Sequence, residues 1–225
     1  MKFEPGSFYL GVVDFFSIML PGGVLAFFLA GPVQGDIFGT LFPAIPPGPA
    51  EWVIFLFAAY LLGHIVFLIG SYLDVIYDPV RKRVWPKETD FAYRQADRIK
   101  RERLDGDAAE AINTYQWSRA VLTLGHPAGM AEIARLEADS KFFRSLVVVL
   151  VILLVATLTN DWHKTGIVFP VLLGICAGLS YWRYTERRYK STEQAYRFMI
   201  VLARDGRGEL ETGAAAGPAA GTEAE

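Results

Sequence analysis

An uninterrupted apolar segment in the first half of the chain constrains the fold more than any other feature. The 22 residues from Trp52 to Leu73 contain His64 as the only titratable side chain besides two tyrosines. At about 1.5 Å per residue, a helix of this length crosses a hydrocarbon layer about 30 Å thick. The segment therefore predicts a membrane-spanning helix, which we expect to run as one rod from Glu51 to Asp78.

Polar residues in and after this segment fall on one face of the predicted helix. Their separations are sums of three- and four-residue steps, the spacing that keeps side chains on one helical face. Because acyl chains offer polar groups no partner, we expect this face to line a helix bundle or a water-filled path. The predicted lining residues are Tyr60, His64, Ser71, Asp74 and Asp78. An alternative is that the two aspartates pair with Arg81, Arg83 or Arg183 at the membrane interface.

Three other apolar blocks indicate three further spans, and 52% of the 225 residues are hydrophobic. We predict an all-α integral membrane protein with four transmembrane helices and a helical cytoplasmic layer. Residues 1–77 form a first transmembrane hairpin, with spans at about 14–30 and 52–74 and a kink near Pro21. Residues 78–141 form the cytoplasmic region. Residues 142–205 form a second hairpin with a cytoplasmic helix extension, and residues 206–225 form a disordered tail.

The distribution of charge predicts the orientation in the membrane. From Val75 to Lys141 the chain has 12 Lys and Arg against 11 Asp and Glu, whereas residues 31–50 have no Lys or Arg and residues 160–165 have only Lys164. By the positive-inside rule, the middle region and both termini are cytoplasmic. We therefore expect a multi-pass protein of the bacterial inner membrane.

The cytoplasmic region combines arginines with aromatic residues, a mixture suited to phosphates and stacked bases. It predicts a ligand site that includes Arg94, Arg98, Trp117 and Arg119. Nearby acidic residues nearly cancel the charge, so a solvated helix face or a contact with the inner leaflet explains the pattern as well. The extension of the last helix has an apolar side, which we expect the middle region or a second subunit to cover.

Small residues recur every four positions at the start of the fourth span. The series is Gly166, Pro170, Gly174 and Gly178, and its glycines would let helices approach closely. We predict a packing role for them, either within one chain or between subunits.

Common catalytic signatures are absent from the sequence. It contains no GxxxxGK[ST] loop, no HExxH motif and no GxSxG elbow, and Cys176 is its single cysteine. We predict no catalytic residue, no metal ligand and no cofactor. A membrane-embedded lipid enzyme with Asp74 and Asp78 as metal ligands remains a third alternative.

This plan of short spans with a cytoplasmic helical cap resembles the membrane effectors of bacterial anti-phage systems that respond to a nucleotide signal. The resemblance rests on size and architecture over the whole chain. It implies a homo-oligomeric channel or membrane-disrupting effector in the lipid bilayer, controlled through the cytoplasmic region by a nucleotide or oligonucleotide. The main alternative is a non-catalytic membrane anchor or scaffold that docks a cytoplasmic partner protein.

Overall fold

The computed structural model describes residues 15–30, 49–84, 91–104, 106–159 and 166–215, and within these ranges all regular structure is helical. The all-α prediction is therefore confirmed. Asp14, the proline-rich loop at residues 31–48, the connection at residues 160–165 and the tail from residue 216 lie outside the described residues. The described elements are a π-helical turn, Phe15–Met19, and eight α-helices. The helices are α1 (Leu20–Ala30), α2 (Pro49–Ser71), α3 (Leu73–Val84), α4 (Phe91–Arg103), α5 (Gly106–Ala111), α6 (Thr114–Gly125), α7 (Pro127–Thr159) and α8 (Val168–Ala215).

The chain divides into two compact units that differ from the predicted domains. Unit 1 comprises Met1–Val84 and Ala134–Lys190, and unit 2 comprises Trp85–Ile133 and Ser191–Glu225. Residues 78–84 and 134–141, which we predicted as part of the cytoplasmic region, thus belong to unit 1. The boundary predicted at Gly206 falls within α8, because that helix continues to Ala215. A single glycine costs a helix only about 1 kcal/mol relative to alanine, and the end of this 48-residue helix contains Gly206, Gly208 and Gly213.

In unit 1, α1 and α2 pack with their backbones close together. A Cβ atom at Gly22 would overlap the carbonyl oxygen of Ala59, and one at Gly63 would overlap the carbonyl oxygen of Ile18. The predicted irregularity near Pro21 takes the form of the π-helical turn, which ends just before the first turn of α1. Because Phe15–Met19 is already helical, the missing N–H of Pro21 removes one hydrogen bond from a continuing helix, and the regular bonding pattern changes beside it.

The predicted single rod from Glu51 to Asp78 is wrong, because the helix breaks at Tyr72. The Tyr72 N–H donates to the Ile69 carbonyl at 3.1 Å, and the Val75 N–H donates to the Tyr72 carbonyl at 3.2 Å. These are three-residue turns, tighter than the four-residue bonds of an α-helix. The Ser71 hydroxyl also donates to the Leu68 carbonyl at 2.6 Å, a bond of the kind that bends helices. The residues before and after Tyr72 therefore do not share one straight face.

Two described helices are long and apolar enough to cross a membrane. They are Trp52–Ser71 and Pro127–Thr159. In the most apolar part of each helix, 22% of the first and 39% of the second is buried. A shorter apolar stretch covers Phe15–Leu29. A single helix, α7, runs from Pro127 through the third apolar block to Thr159. The apolar core of unit 1 consists of Leu25, Val66, Val148, Val149, Leu153 and Leu173.

Unit 2 has its own core, centred on aromatic side chains. Trp117 of α6, Ala96 of α4 and Tyr196 of α8 are buried together, with Met199 and Ala203 beside them. The middle region thus covers the apolar side of the α8 extension, as one of our two predictions stated. A neighbouring cluster joins Leu122, Ile133 and Ala195.

Candidate functional site

The predicted lining residues do not form one continuous group in the structure. Tyr60 and His64 are exposed on α2, with their ring centroids 4.5 Å apart. Ser71 is half-buried and its hydroxyl bonds to its own helix. Asp78 is exposed on α3, 3.9 Å from Arg81. Asp74 alone enters a network that links separate helices.

Three side chains from two other helices bind the Asp74 carboxylate. Arg144 of α7 donates from Nη1 to Oδ2 at 2.9 Å, and Tyr184 of α8 donates from its hydroxyl to Oδ1 at 2.5 Å. Arg188, one turn further along α8, also donates from Nη1 to Oδ1. The same Nη1 lies 3.2 Å from the Tyr184 hydroxyl. We call Asp74, Arg144, Tyr184 and Arg188 the Asp74 cluster.

The partners of Asp74 differ from those that the sequence suggested. Of the three arginines that we considered, Arg81 lies near Asp78, and Arg183 pairs with Glu186 at 2.7 Å. The arginines that bind Asp74 are instead Arg144 and Arg188. A local signal for the α8 side exists in the four-residue spacing of Tyr184 and Arg188, which places both on one helix face.

One aromatic ring lies against each of the two arginines of the cluster. The Arg144 guanidinium lies 4.7 Å from the centre of the Phe67 ring, and the Arg188 guanidinium lies 4.6 Å from the centre of the Tyr77 ring. Cations at this distance are attracted to the face of an aromatic ring. Gly70 lies beside Arg144, and a Cβ atom there would meet Cγ of the arginine at 3.4 Å, close to ordinary contact distance.

Burial keeps the phenols of this region neutral. Burial of Tyr77 raises its pKa to about 12, against the attraction of the neighbouring Arg188. Burial also raises the pKa of Tyr184, and its hydrogen bond to Asp74 adds to the effect. A phenol that stays protonated is a permanent hydrogen-bond donor. Tyr184 can therefore donate to an anion at any physiological pH.

The cluster is suited to holding an anion. Arginine guanidiniums match the planar geometry of carboxylates and phosphates, and Tyr184 supplies a further donor. Because both Asp74 oxygens already accept hydrogen bonds from these groups, this arrangement disfavours Asp74 as a metal ligand. Within the described ranges, no group of three or more His, Cys, Asp or Glu side chains is placed to hold a metal ion.

The predicted cytoplasmic ligand residues are not brought together. Trp117 is buried in the core of unit 2, whereas Arg94 and Arg98 line a shallow surface depression on α4. Arg98 bonds to Glu102 at 3.2 Å, so this cation is already paired. The Arg119 guanidinium lies 5.8 Å from the Tyr115 ring centre.

The same depression includes an acidic residue, Asp97, with three partners. It accepts hydrogen bonds from the Thr114 hydroxyl at 2.7 Å and from Arg101 at 2.9 Å, and Lys100 lies 3.8 Å away. Partial burial raises the pKa of Asp97, but these hydrogen bonds outweigh it and hold the pKa below its usual value. The carboxylate therefore offsets much of the positive charge around Arg94 and Arg98.

The predicted packing glycines make no close helix contact within the described chain. Gly166 precedes α8 with φ at +70°, a backbone conformation that side chains disfavour. Nothing lies within 4 Å of where a Cβ atom would stand on Gly174 or Gly178. The tight approach belongs to Gly22 and Gly63 instead. For Gly174 and Gly178, packing between subunits stays a prediction.

Searches of protein-family models, curated proteins and solved structures find no match to this chain. Its function is therefore argued from its own residues and geometry.

Proposed function

We propose that this chain is a homo-oligomeric protein of the bacterial inner membrane that forms a channel or disrupts the membrane. Four helices, α1, α2, α7 and α8, cross the bilayer, and both termini are cytoplasmic. Support comes from the two helices that are long and apolar enough to span, together with the shorter apolar stretch Phe15–Leu29. The charge distribution between the connecting segments supports the orientation.

One observation carries the oligomeric part of this proposal. In the single chain, Tyr60 and His64 are exposed side by side on a helix whose other exposed residues are apolar, such as Ile65 and Leu68. An imidazole within the hydrocarbon layer is costly unless protein or water surrounds it. A second copy of the chain, or a water-filled path between copies, would shelter this pair. The exposed polar pair therefore favours assembly through α2.

The cytoplasmic helices would control the assembly. Unit 2 has an independent core, and Arg94 lines a depression on its surface. A nucleotide or oligonucleotide signal, as in the anti-phage effectors that the architecture resembles, would bind to this unit. Phosphates would contact Arg94, the arginine of this depression that lies outside the three ion pairs described on α4.

Liposome reconstitution tests the proposal. We expect the full chain to elute from neutral detergent as a multiple of its 25.0 kDa mass and to conduct ions in the presence of a cyclic oligonucleotide. His64→Leu should change conductance while the protein remains folded. Leu68→Ile, at an exposed apolar position of the same helix, is the matched control. A strict monomer without conductance under any nucleotide tested would overturn the proposal.

A non-catalytic anchor or scaffold is the second candidate, and the Asp74 cluster favours it. A carboxylate bound by two arginines and a tyrosine holds helices together and offers little to a passing ion. This function predicts co-purification with a soluble partner that binds equally well to the His64→Leu variant. The third alternative, a lipid enzyme, would require Asp74 to exchange its present partners for a metal ion.

A further inference from the structure

The Asp74 cluster contains one more cation than anion. Its charged groups are the guanidiniums of Arg144 and Arg188 and the single carboxylate of Asp74. The Arg144 side chain is only 9% exposed, and among the described atoms its Nε has no hydrogen-bond partner. A group with more negative charge and more acceptor oxygens than a carboxylate would match this pair of arginines better.

The carboxylate of the cluster is on a different helix from the three groups that bind it. Asp74 lies two residues after Tyr72, where α2 ends and α3 begins. The other three members belong to α7 and α8, which continue without a break past the cluster. The Asp74 and Arg188 side chains are 32% and 35% exposed, so an incoming group can reach them.

We propose that Arg144, Arg188 and Tyr184 form a binding site for a phosphate group, which Asp74 occupies in this structure as an internal competitor. The negative charge of a phosphate group can balance two guanidiniums, and its oxygens can accept hydrogen bonds from both arginines and from the phenol. It enters when α3 turns about Tyr72 and withdraws Asp74. The phosphate belongs to a lipid headgroup or to a soluble phosphate. The site exists whether or not the chain assembles into a pore.

Equilibrium binding to the full chain in neutral detergent tests this site. The two probes are radiolabelled phosphatidic acid and, separately, radiolabelled inorganic phosphate. Asp74→Asn should bind phosphate about tenfold more tightly than the wild type. When Asp74 occupies the site about nine-tenths of the time, only about one-tenth of the wild-type molecules are open to phosphate, and the apparent affinity falls about tenfold. Asp78→Asn is the matched control, because Asp78 is an exposed carboxylate on the same helix.

The second substitution assigns the gain to the arginine pair. Arg188→Gln, added to Asp74→Asn, should remove the gain. Tighter binding of phosphatidic acid alone identifies a lipid headgroup site, and tighter binding of both probes identifies a site open to soluble phosphate; either result supports the proposal. Equal binding by the wild type and a folded Asp74→Asn variant overturns it, as does an equal gain in Asp78→Asn.

A measurement on the wild type decides the matter if Asp74→Asn does not fold. In nanodiscs, the unfolding midpoint of the wild type should rise when phosphatidic acid replaces part of the phosphatidylcholine. That rise should be lost in Arg188→Gln, whatever the midpoint of this variant in phosphatidylcholine alone. No rise in the wild type, or the same rise in both proteins, overturns the proposal.

Discussion

Each of the two units contains an aspartate surrounded by cations, but the two clusters are built differently. In unit 1, Asp74 binds Arg144 and Arg188, which lie 70 and 114 residues further along the chain. In unit 2, Asp97 pairs with Lys100 and Arg101 of its own helix, and Thr114 is 17 residues away. The first cluster joins three helices, whereas the second mainly stabilises one helix and its neighbour.

This difference in sequence separation indicates what each carboxylate contributes. The exposed pair of Asp97 and Arg101 contributes only a few tenths of a kcal/mol, because solvent screens it. Lys100 is buried, but the Ile112 carbonyl is a second partner for its ammonium group. Arg144 is largely buried, so its guanidinium depends on Asp74 for a counter-ion. We therefore expect Asp74 to matter for the packing of unit 1 and Asp97 to matter locally in unit 2.

Removing each carboxylate tests the comparison directly and should give the largest effect. Asp74→Ala should destabilise the protein by about 3 kcal/mol, because it leaves a buried arginine unpaired. Asp97→Ala should cost about 1 kcal/mol, because Arg101 is exposed and the buried Lys100 keeps its hydrogen bond to the Ile112 carbonyl. Denaturant unfolding in mixed micelles, followed by helicity, measures both changes.

Asp78→Ala is the control, because the Asp78 carboxylate is exposed and the substitution removes a single ion-pair contact, the 3.9 Å contact with Arg81. Its effect should stay within about 0.5 kcal/mol. Equal losses for Asp74→Ala and Asp97→Ala would contradict the distinction between the two clusters.

Glycine substitutions extend the comparison from ionic contacts to backbone contacts. Gly63→Ala should cost about 1–3 kcal/mol, because the added methyl group overlaps the Ile18 carbonyl oxygen and the helices must separate. Gly174→Ala meets open space and should leave the stability of the single chain unchanged or slightly raised. Unfolding in detergent measures the stability of both variants.

The particle mass of Gly174→Ala gives additional information. A lower mass with unchanged folding would place Gly174 at a contact between subunits. If Gly63→Ala proved as stable as the wild type, the close approach of α1 and α2 would be disproved.

The smallest expected effect is the acid sensitivity of α4. Because the folded pKa of Asp97 is below its ordinary value of about 3.9, the carboxylate stabilises unit 2 above that pH. This contribution is lost as pH falls through the lower folded pKa, and it should be below about 1 kcal/mol. Hydrogen exchange of α4 peptides between pH 6 and pH 3, in the wild type and in Thr114→Val, measures it.

Thr114→Val removes one hydrogen bond to Asp97 and keeps the side-chain volume. The variant should therefore show a weaker loss of protection on acidification than the wild type. Identical pH profiles for the two proteins would show that Asp97 does not contribute in this way.

Much of the helical framework could be predicted from periodicity and apolar length alone. The helix through the third apolar block and the covered side of the α8 extension both follow from spacing within a continuous segment. Membrane crossing by four helices remains a proposal, and two of them meet the criteria of length and apolarity. Local pattern works here because each inference uses residues on one helix.

The site depended on information that local pattern does not contain. Periodicity placed Asp74 on a line with His64, but the tight turns at Tyr72 interrupt that line. Which arginine reaches Asp74 depends on how α7 and α8 pack against α3, and several arginines had the right charge. The open surface over Gly174 and the crowded one over Gly63 likewise differ through packing, since both positions are glycines in apolar helices.

The contact between Gly22 and Gly63 has a mechanical consequence. With no side chain between the two backbones, there is no rotamer change that could absorb sliding or rolling of one helix on the other. The α1–α2 hairpin should therefore move as one rigid body when force is applied to it. Among the described residues, the nearest break in its regular helical hydrogen bonding is at Tyr72, where strain imposed on the hairpin would be relieved.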